Sequence, residues 1–142
     1  MPSDSHLKEF TAVELCNLEY TPERGSSIDP HIDDVWLWGE QLVTVNLLDT
    51  TVLTLSRSRD EGEASRFVEE IQIPLVRRSL LVLSGEARYK WLHAIKRRDI
   101  QGRRIAITIR NLSAEILGDD ANRDIVNEIQ QISRSFHGTV VL

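Results

Sequence analysis

Short apolar runs separated by turn residues constrain the fold of this chain more than any other feature of its sequence. The clearest is "RIAITIR", residues 104–110, where Ile105, Ile107 and Ile109 alternate with other residues at the period of a β-strand. Further strand-like runs cover residues 10–20, 35–39, 42–48, 51–57, 67–75, 79–85 and 87–95. We predict that the runs at 42–48 and 51–57 form a hairpin around "DTT", and that Trp36 and Trp38 share one face of a strand.

One segment near the carboxyl end has helical spacing instead. In residues 121–136, "ANRDIVNEIQQISRSF", the side chains of Ile125, Ile129 and Ile132 fall on one helix face, and Asp120 is a candidate cap. Seven or so short strands with a single helix predict an all-β domain, a sandwich or jelly roll. We therefore expect one domain over residues 1–142, with residues 118–142 as a helical tail.

Charge and cysteine content narrow the function. The formal charge of −5 argues against wholesale binding to duplex phosphates. However, residues 77–110 contain ten Lys or Arg against two acids, so a local basic surface is compatible with an acidic protein. Cys16 is the only cysteine, which fits a reducing compartment. No signal peptide pattern and no apolar run of membrane-spanning length is present, so we expect an intracellular protein without a membrane partner.

A candidate metal site lies at "PHIDD", residues 30–34. His31 and Asp33 are two residues apart, so on a strand both point to one face and can approach one ion. His93, inside another strand-like run, offers a third ligand, and two histidines with one carboxylate are the usual ligands of non-haem Fe(II) oxygenases. The alternative is that His31 is an ordinary loop residue and His93 a core histidine. Asp34 points to the other face, as a turn or surface carboxylate.

The run at residues 104–110 offers a candidate site for a dicarboxylate. Arg104, Ala106, Thr108 and Arg110 share one face, and guanidinium groups bind carboxylates bidentately. The two arginines are about 20 Å apart on an extended strand, so they can serve one small ligand only by leaning inward or by holding different ends. Tyr20 is a further candidate, since its phenol can reach a carboxylate. The alternative is a basic edge strand with solvated arginines.

Three ordered blocks, residues 16–48, 77–95 and 103–115, together resemble the AlkB-type Fe(II)/2-oxoglutarate dioxygenases, in particular the subfamily called AlkB homologue four. The resemblance spans about residues 10–117. It implies a double-stranded β-helix, or jelly roll. It also implies that Fe(II) is held by His31, Asp33 and His93 and that the co-substrate 2-oxoglutarate is held by a second set: Tyr20, Arg104, Thr108 and Arg110. In that set Arg104 would hold the distal carboxylate and Arg110 would lie nearer the keto-acid end.

The resemblance further implies oxidative removal of N-methyl groups, with 2-oxoglutarate converted to succinate and CO2. A methylated protein lysine, with actin as a candidate, is the expected substrate, in the cytoplasm, the nucleus or both; methylated adenine in nucleic acid is the alternative. A non-catalytic jelly-roll binding module and a zinc-holding cupin-like protein are the other interpretations. A zinc site does not require two arginines on one strand face, so this pair does not favour the zinc-holding protein.

Two features depart from the family pattern, and one matches it. Leu18 stands where several relatives have a co-substrate asparagine, so we expect that contact to be absent. The family's core is normally preceded by a substantial region that supplies a substrate lid, so we expect a catalytic core that lacks this region. Gly85 and Arg88, in "LSGEAR", match a family turn before the distal histidine, and the resemblance implies that their role is structural.

Overall fold

Two antiparallel four-stranded sheets make up the fold. The computed structural model describes residues 7, 9–58 and 68–135. The first sheet has the order β1-β8-β3-β6. Its strands are β1 (Glu14–Tyr20), β3 (Trp38–Leu47), β6 (Ser79–Leu83) and β8 (Arg104–Leu112).

The second sheet has the order β2-β7-β4-β5. Its strands are β2 (Ile28–His31), β4 (Thr51–Ser58), β5 (Val68–Leu75) and β7 (Leu92–Ile95). Every pairing within the two sheets is antiparallel. The all-β prediction is confirmed, and the two sheets form a jelly-roll-like fold.

The core lies between the sheets, and an unusually polar strand face contributes to it. Leucines of both sheets make up half of the buried residues in this core: Leu42, Leu53, Leu55, Leu75 and Leu83. On β8, Arg104, Ala106 and Thr108 are buried, whereas Ile105 and Ile107 between them are only partly covered. The predicted division of this strand into two faces is confirmed, and it is the arginine face that points inward.

The hairpin predicted around "DTT" is wrong, because β3 and β4 belong to different sheets. The chain changes sheet at Leu48, whose φ of 70° is outside the extended region. Just after it, the Asp49 amide donates to the carbonyl of Leu47, and the Asp49 carboxylate accepts from the Thr50 amide at 2.8 Å. These local bonds turn the chain out of the first sheet, although the flanking residues alternate as a hairpin would.

Two other strand predictions are wrong in part. Trp36 and Trp38 do not share a strand face, because residues 35–37 form a turn and β3 begins at Trp38. The Asp34 carboxylate stabilises that turn by accepting from the Leu37 amide at 2.7 Å, an Asx-type bond. In the run at 87–95, only Leu92–Ile95 is a strand, since the preceding residues form a short helix, α1 (Gly85–Tyr89).

The predicted carboxyl-terminal helix is present, and one of its three isoleucines packs on the protein. Two helices, α2 (Ala114–Gly118) and α3 (Arg123–Arg134), follow β8. Val126 and the partly buried Ile129 pack against Leu112 and Ile116 in a second, smaller core. Ile125 and Ile132 are 52% and 61% exposed. Of the three isoleucines on the predicted face, only Ile129 therefore joins Val126 in this core.

The predicted cap of this helix is wrong. Asp119, rather than Asp120, accepts a bond from the Ala121 amide at 3.0 Å and so caps the 3-10 turn Asp120–Asn122 that leads into α3. Asp120 instead pairs with Arg123. The structure describes the predicted tail up to Ser135. Within the described part of the chain, no helix has the length and apolar character that crossing a bilayer requires.

Candidate metal centre

The two histidines predicted as ligands lie opposite each other on neighbouring strands of the second sheet. His31 is the last residue of β2, and it is directly paired with His93 on β7. The centroids of their rings are 4.2 Å apart, and the ring planes are inclined by 50°. The pairing of β2 with β7 therefore brings together two imidazoles that are far apart in the sequence.

Asp33 completes a compact cluster of possible ligands. It lies beyond the end of β2 rather than on a strand, so the shared strand face assumed for His31 and Asp33 does not apply. Its Oδ1 atom is 3.3 Å from Nε2 of His31 and 3.7 Å from Nε2 of His93. The three ligand atoms that these residues offer all lie within 4.8 Å of one another. Two imidazole nitrogens and one carboxylate oxygen on a single side form the donor set of a facial triad.

The hydrogen bonding of His31 and the burial of His93 suit metal binding. Nδ1 of His31 is 2.7 Å from the carbonyl oxygen of Asp29; since a carbonyl only accepts, Nδ1 donates this bond, and Nε2 is the ring nitrogen that faces the cluster. Burial lowers the pKa of His93 to about 4, and the neighbouring His31 contributes to this shift while Asp33 opposes it. The His93 ring is therefore neutral at neutral pH.

Arg110 holds the second oxygen of the Asp33 carboxylate. Its Nε donates to Oδ2 of Asp33 at 2.7 Å, and its Nη1 donates to Oε2 of Glu14 at 2.6 Å. The Trp38 ring packs on the guanidinium, with its centroid 5.5 Å from Cζ. Because Oδ2 is occupied by the arginine, Oδ1 is the oxygen that Asp33 presents to the histidines.

One pocket between the sheets connects this cluster to Arg104. Arg104 is 2% exposed, and its Nε donates to Oδ1 of Asn46 at 2.6 Å. Its guanidinium packs over the Tyr20 ring, with Cζ 4.7 Å from the centroid. Nη1 is buried without a hydrogen-bond partner among the described residues. Burial lowers the pKa of Arg104, an effect that Tyr20 opposes. An anionic ligand bound to Nη1 would remove the cost of this unpartnered donor.

The other predicted co-substrate residues line the same pocket. Tyr20, Thr108 and Arg110 all contribute to its wall, and the hydroxyls of Thr108 and Thr44 are 3.5 Å apart. Leu18 is also in the wall, and it presents no polar group there. The structure thus brings all seven predicted site residues to one cavity, with the possible metal ligands and Arg104 both reaching it.

Three further residues contribute to the site and were not predicted to do so. Glu14 pairs with Arg110, and Asn46, 1% exposed, orients Arg104. Arg88 donates to the backbone carbonyls of Asp33 and Asp34. The sequence could have indicated Asn46, since a polar side chain on the inward face of an apolar strand needs buried partners. It could not have indicated the pairings of Glu14 and Arg88, because their partners are distant in the sequence.

The basic residues of the segment 77–110 do not form one surface. Arg88, Arg104 and Arg110 point into the protein. Others are paired with carboxylates in the bonds Lys90–Glu86, Lys96–Glu70 and Arg103–Glu19. The local excess of positive charge is therefore divided among the interior, separate surface pairs and four exposed arginines, Arg77, Arg78, Arg97 and Arg98.

Comparisons with known proteins give several related sequences. The chain is 44% identical over 158 aligned positions to "Alpha-ketoglutarate-dependent dioxygenase alkB homolog 4" of Homo sapiens and of Mus musculus, with 95% of this chain and 52% and 53% of those proteins covered. It is 38% identical to "DNA N6-methyl adenine demethylase" of Caenorhabditis elegans, over 77% of this chain and 35% of that protein. No protein-family model matches. The chain spans about half the length of the first two relatives.

Proposed function

Because this chain belongs to the AlkB-type family, we propose that it is an Fe(II)- and 2-oxoglutarate-dependent dioxygenase that removes N-methyl groups oxidatively. The observation that carries the proposal is a single pocket that contains both a His-Asp-His cluster and a buried arginine with an unpartnered donor. A metal site alone fits many functions. A metal site that shares a cavity with a carboxylate-binding group fits co-substrate-dependent oxidation.

Each group has a separate task in this proposal. His31, Asp33 and His93 hold Fe(II) on one side, and Arg104 with Tyr20 holds the distal carboxylate of 2-oxoglutarate. Iron and 2-oxoglutarate together supply the power to oxidise a methyl group with O2. The protein binds and orients these components and keeps water from the apolar part of the pocket, which Leu42, Leu53 and Leu83 help to line.

Arg110 acts in this proposal by fixing Asp33 rather than as the main co-substrate anchor. Its Nε and Nη1 are bonded to Asp33 and Glu14, so these two donors are committed before a ligand arrives. Its place beside the Asp33 carboxylate puts it at the metal end of the pocket. Thr108, between the two arginines on β8, is placed for an additional bond to the co-substrate.

We favour a methylated protein lysine as the substrate, with actin as the candidate substrate protein. The net charge of −5 opposes association with a polyanion. Of the ten basic residues in the segment 77–110, three are turned into the protein and three are paired with carboxylates of other segments or turns, which leaves little free positive charge to offset it. An intracellular location, cytoplasmic or nuclear, belongs to the same proposal.

Methylated adenine in DNA is the second candidate. The observation in its favour is the 38% identity to a protein named as a DNA N6-methyl adenine demethylase. Both substrates carry an N-methyl group and would release formaldehyde after the same oxidation. They differ in what surrounds the methyl group, so the choice between them rests on substrate tests.

The deciding experiment measures succinate formed from 2-oxoglutarate by the purified chain with Fe(II), and then formaldehyde released from two sets of substrates. One set is methyl-lysine peptides of actin sequence, and the other is oligonucleotides with N6-methyladenine. We expect Fe(II)-dependent succinate formation that His31→Ala abolishes and that Arg103→Met, a change in an exposed side chain, leaves intact. If only the oligonucleotides release formaldehyde, the substrate is methylated adenine rather than methylated lysine. Tight metal binding with no succinate under any condition would instead identify a binding module.

A further inference from the structure

Arg88 is one of the most deeply buried side chains of the protein, and it has an unusual set of partners. It is 1% exposed and lies on α1, five residues before His93. All four of its hydrogen bonds go to backbone carbonyl oxygens rather than to a carboxylate. A buried guanidinium commonly pairs with an acid, so this arrangement requires a different explanation.

The four carbonyls lie at the two ends of the segment that carries Asp33. Nη1 donates to the carbonyl of Asp33 at 2.9 Å, and Nη2 donates to that of Asp34 at 2.9 Å. The remaining bonds, both at 3.2 Å, reach the carbonyls of Trp38 and Gly39 at the start of β3. Residues 32–37 belong to no strand, so they have no ladder of hydrogen bonds to fix their backbone. One side chain thus ties both ends of this segment together.

We propose that Arg88 is a positioning residue for the metal centre, which sets the Asp33 carboxylate relative to His93. Arg88 and His93 lie on one short stretch of chain, α1 and β7, whereas Asp33 lies 55 residues before Arg88. The guanidinium therefore joins the stretch with one ligand to the stretch with another. It bonds to the backbone of Asp33 and not to its ligand oxygens. This inference rests on the proposed metal centre.

Charge and position predict opposite effects for the loss of Arg88. A cation beside a metal site repels the metal ion, and the same positive charge contributes to the lowered pKa of His93, after the larger effects of burial and His31. If charge were the only contribution, removing Arg88 would strengthen metal binding. If Arg88 positions Asp33, its removal loosens the 32–37 segment and weakens metal binding, as losses of outer-shell bonds usually do, by about 10–100-fold.

The test is a titration with Co(II), whose visible absorption reports the coordination of the ion. The variants are Arg88→Met, Arg88→Lys and a control, Arg57→Met. Arg57 also lies near the core, with Cζ 4.4 Å from the centroid of the Trp91 ring, but it pairs with Glu69 and contacts none of the ligands. We expect Arg88→Met to raise the Kd for Co(II) about 10–100-fold and to change the spectrum. Arg88→Lys should fall between, and Arg57→Met should match the unchanged protein.

A double change separates positioning from general destabilisation. Asp33→Glu keeps a carboxylate but displaces it, and if Arg88 acts through Asp33, the effects of Arg88→Lys and Asp33→Glu on the Kd are not additive, whereas independent destabilisation would add. A folded Arg88→Met protein with the unchanged Kd and spectrum would overturn the inference. If Arg88→Met does not fold, Arg88→Lys decides by the same measurement, and loss of the fold in both would assign Arg88 to stability alone. If the unchanged protein does not bind Co(II), the proposed metal centre itself is refuted.

Discussion

The Arg110 guanidinium lies 2.7 Å from Oδ2 of Asp33, measured from its Nε atom, while Oδ1 of the same carboxylate faces the two histidines. One oxygen is thus held by a fixed cation, and the other is left for a metal ion. Asp33 has a relative side-chain exposure of only 8%, so water replaces the arginine poorly. The pair explains how a carboxylate outside any strand keeps a defined orientation.

We expect Arg110→Met to weaken metal binding by about 10–100-fold, because the Asp33 carboxylate loses the partner that orients it. Isothermal titration with Mn(II) measures this effect without turnover. Arg103→Met is the matched control, since Arg103 is an exposed arginine next to the same strand and pairs with Glu19 rather than with a proposed ligand. An Arg110→Met protein that binds Mn(II) as tightly as the control would contradict this role.

Asp33→Asn should abolish high-affinity metal binding, because an amide oxygen is a much weaker ligand for a divalent cation than a carboxylate. Asp29→Asn is the control, since Asp29 contributes its backbone carbonyl to His31 and keeps that carbonyl after the change. The measurement is metal-dependent protection against thermal unfolding. The unchanged protein and the control should gain stability with added Mn(II), whereas a similar gain in Asp33→Asn would remove Asp33 from the ligand set.

Arg104→Met should raise the Kd for 2-oxoglutarate by about 10–100-fold, the loss expected for a charged hydrogen bond of about 1.5–3 kcal/mol. Arg104 has a buried donor without a partner, which a carboxylate would satisfy. Metal binding should be unchanged, because Arg104 and the cluster occupy different parts of the pocket. Anaerobic equilibrium binding with Arg103→Met as control makes the measurement. Equal affinity for 2-oxoglutarate in both variants would refute the assignment.

Local patterns predicted the faces of the strands but not their partners. Alternation at residues 104–110 identified the inward arginine face, because the side-chain period of a strand is independent of its neighbours. The same alternation on both sides of Asp49 suggested a hairpin, yet β3 and β4 pair with other strands. Strand pairing depends on contacts distant in sequence, and the bend at Leu48 that separates the two sheets leaves no sign in the apolar pattern.

The candidate site shows the same division. The spacing of His31 and Asp33 is local, so the sequence suggested that pair, and His93 followed as a candidate third ligand because it lies inside a strand-like run; the resemblance implied the same set. Arg88 bonds across 55 positions to Asp33, and Asn46 bonds across 58 positions to Arg104. The residue types alone do not specify these partners, so the supporting bonds emerge only when the two sheets are assembled.

Asn46→Ala should lower the free energy of unfolding by about 2–3 kcal/mol, because it leaves several buried polar groups unsatisfied. The Asn46 amide donates to the carbonyls of Asp49, Leu75 and Val76, and its oxygen accepts from Arg104. The change should also weaken 2-oxoglutarate binding, since Arg104 loses the bond that orients it. Urea denaturation and a binding titration measure the two effects. A variant with both values unchanged would show that this network contributes nothing.

The packing of the carboxyl-terminal segment is tested by two neighbouring positions. Ile116 is 2% exposed in the second core, whereas Leu117 is 50% exposed. Ile116→Ala should lower the free energy of unfolding by about 2–5 kcal/mol, as buried aliphatic truncations do, and Leu117→Ala should change it by about 0.5 kcal/mol or less. Urea denaturation of both variants makes the comparison. Because Ile116 packs with Val126 of α3 and with Leu112 at the end of β8, equal losses at the two positions would mean that α3 does not dock on the sheet in this way.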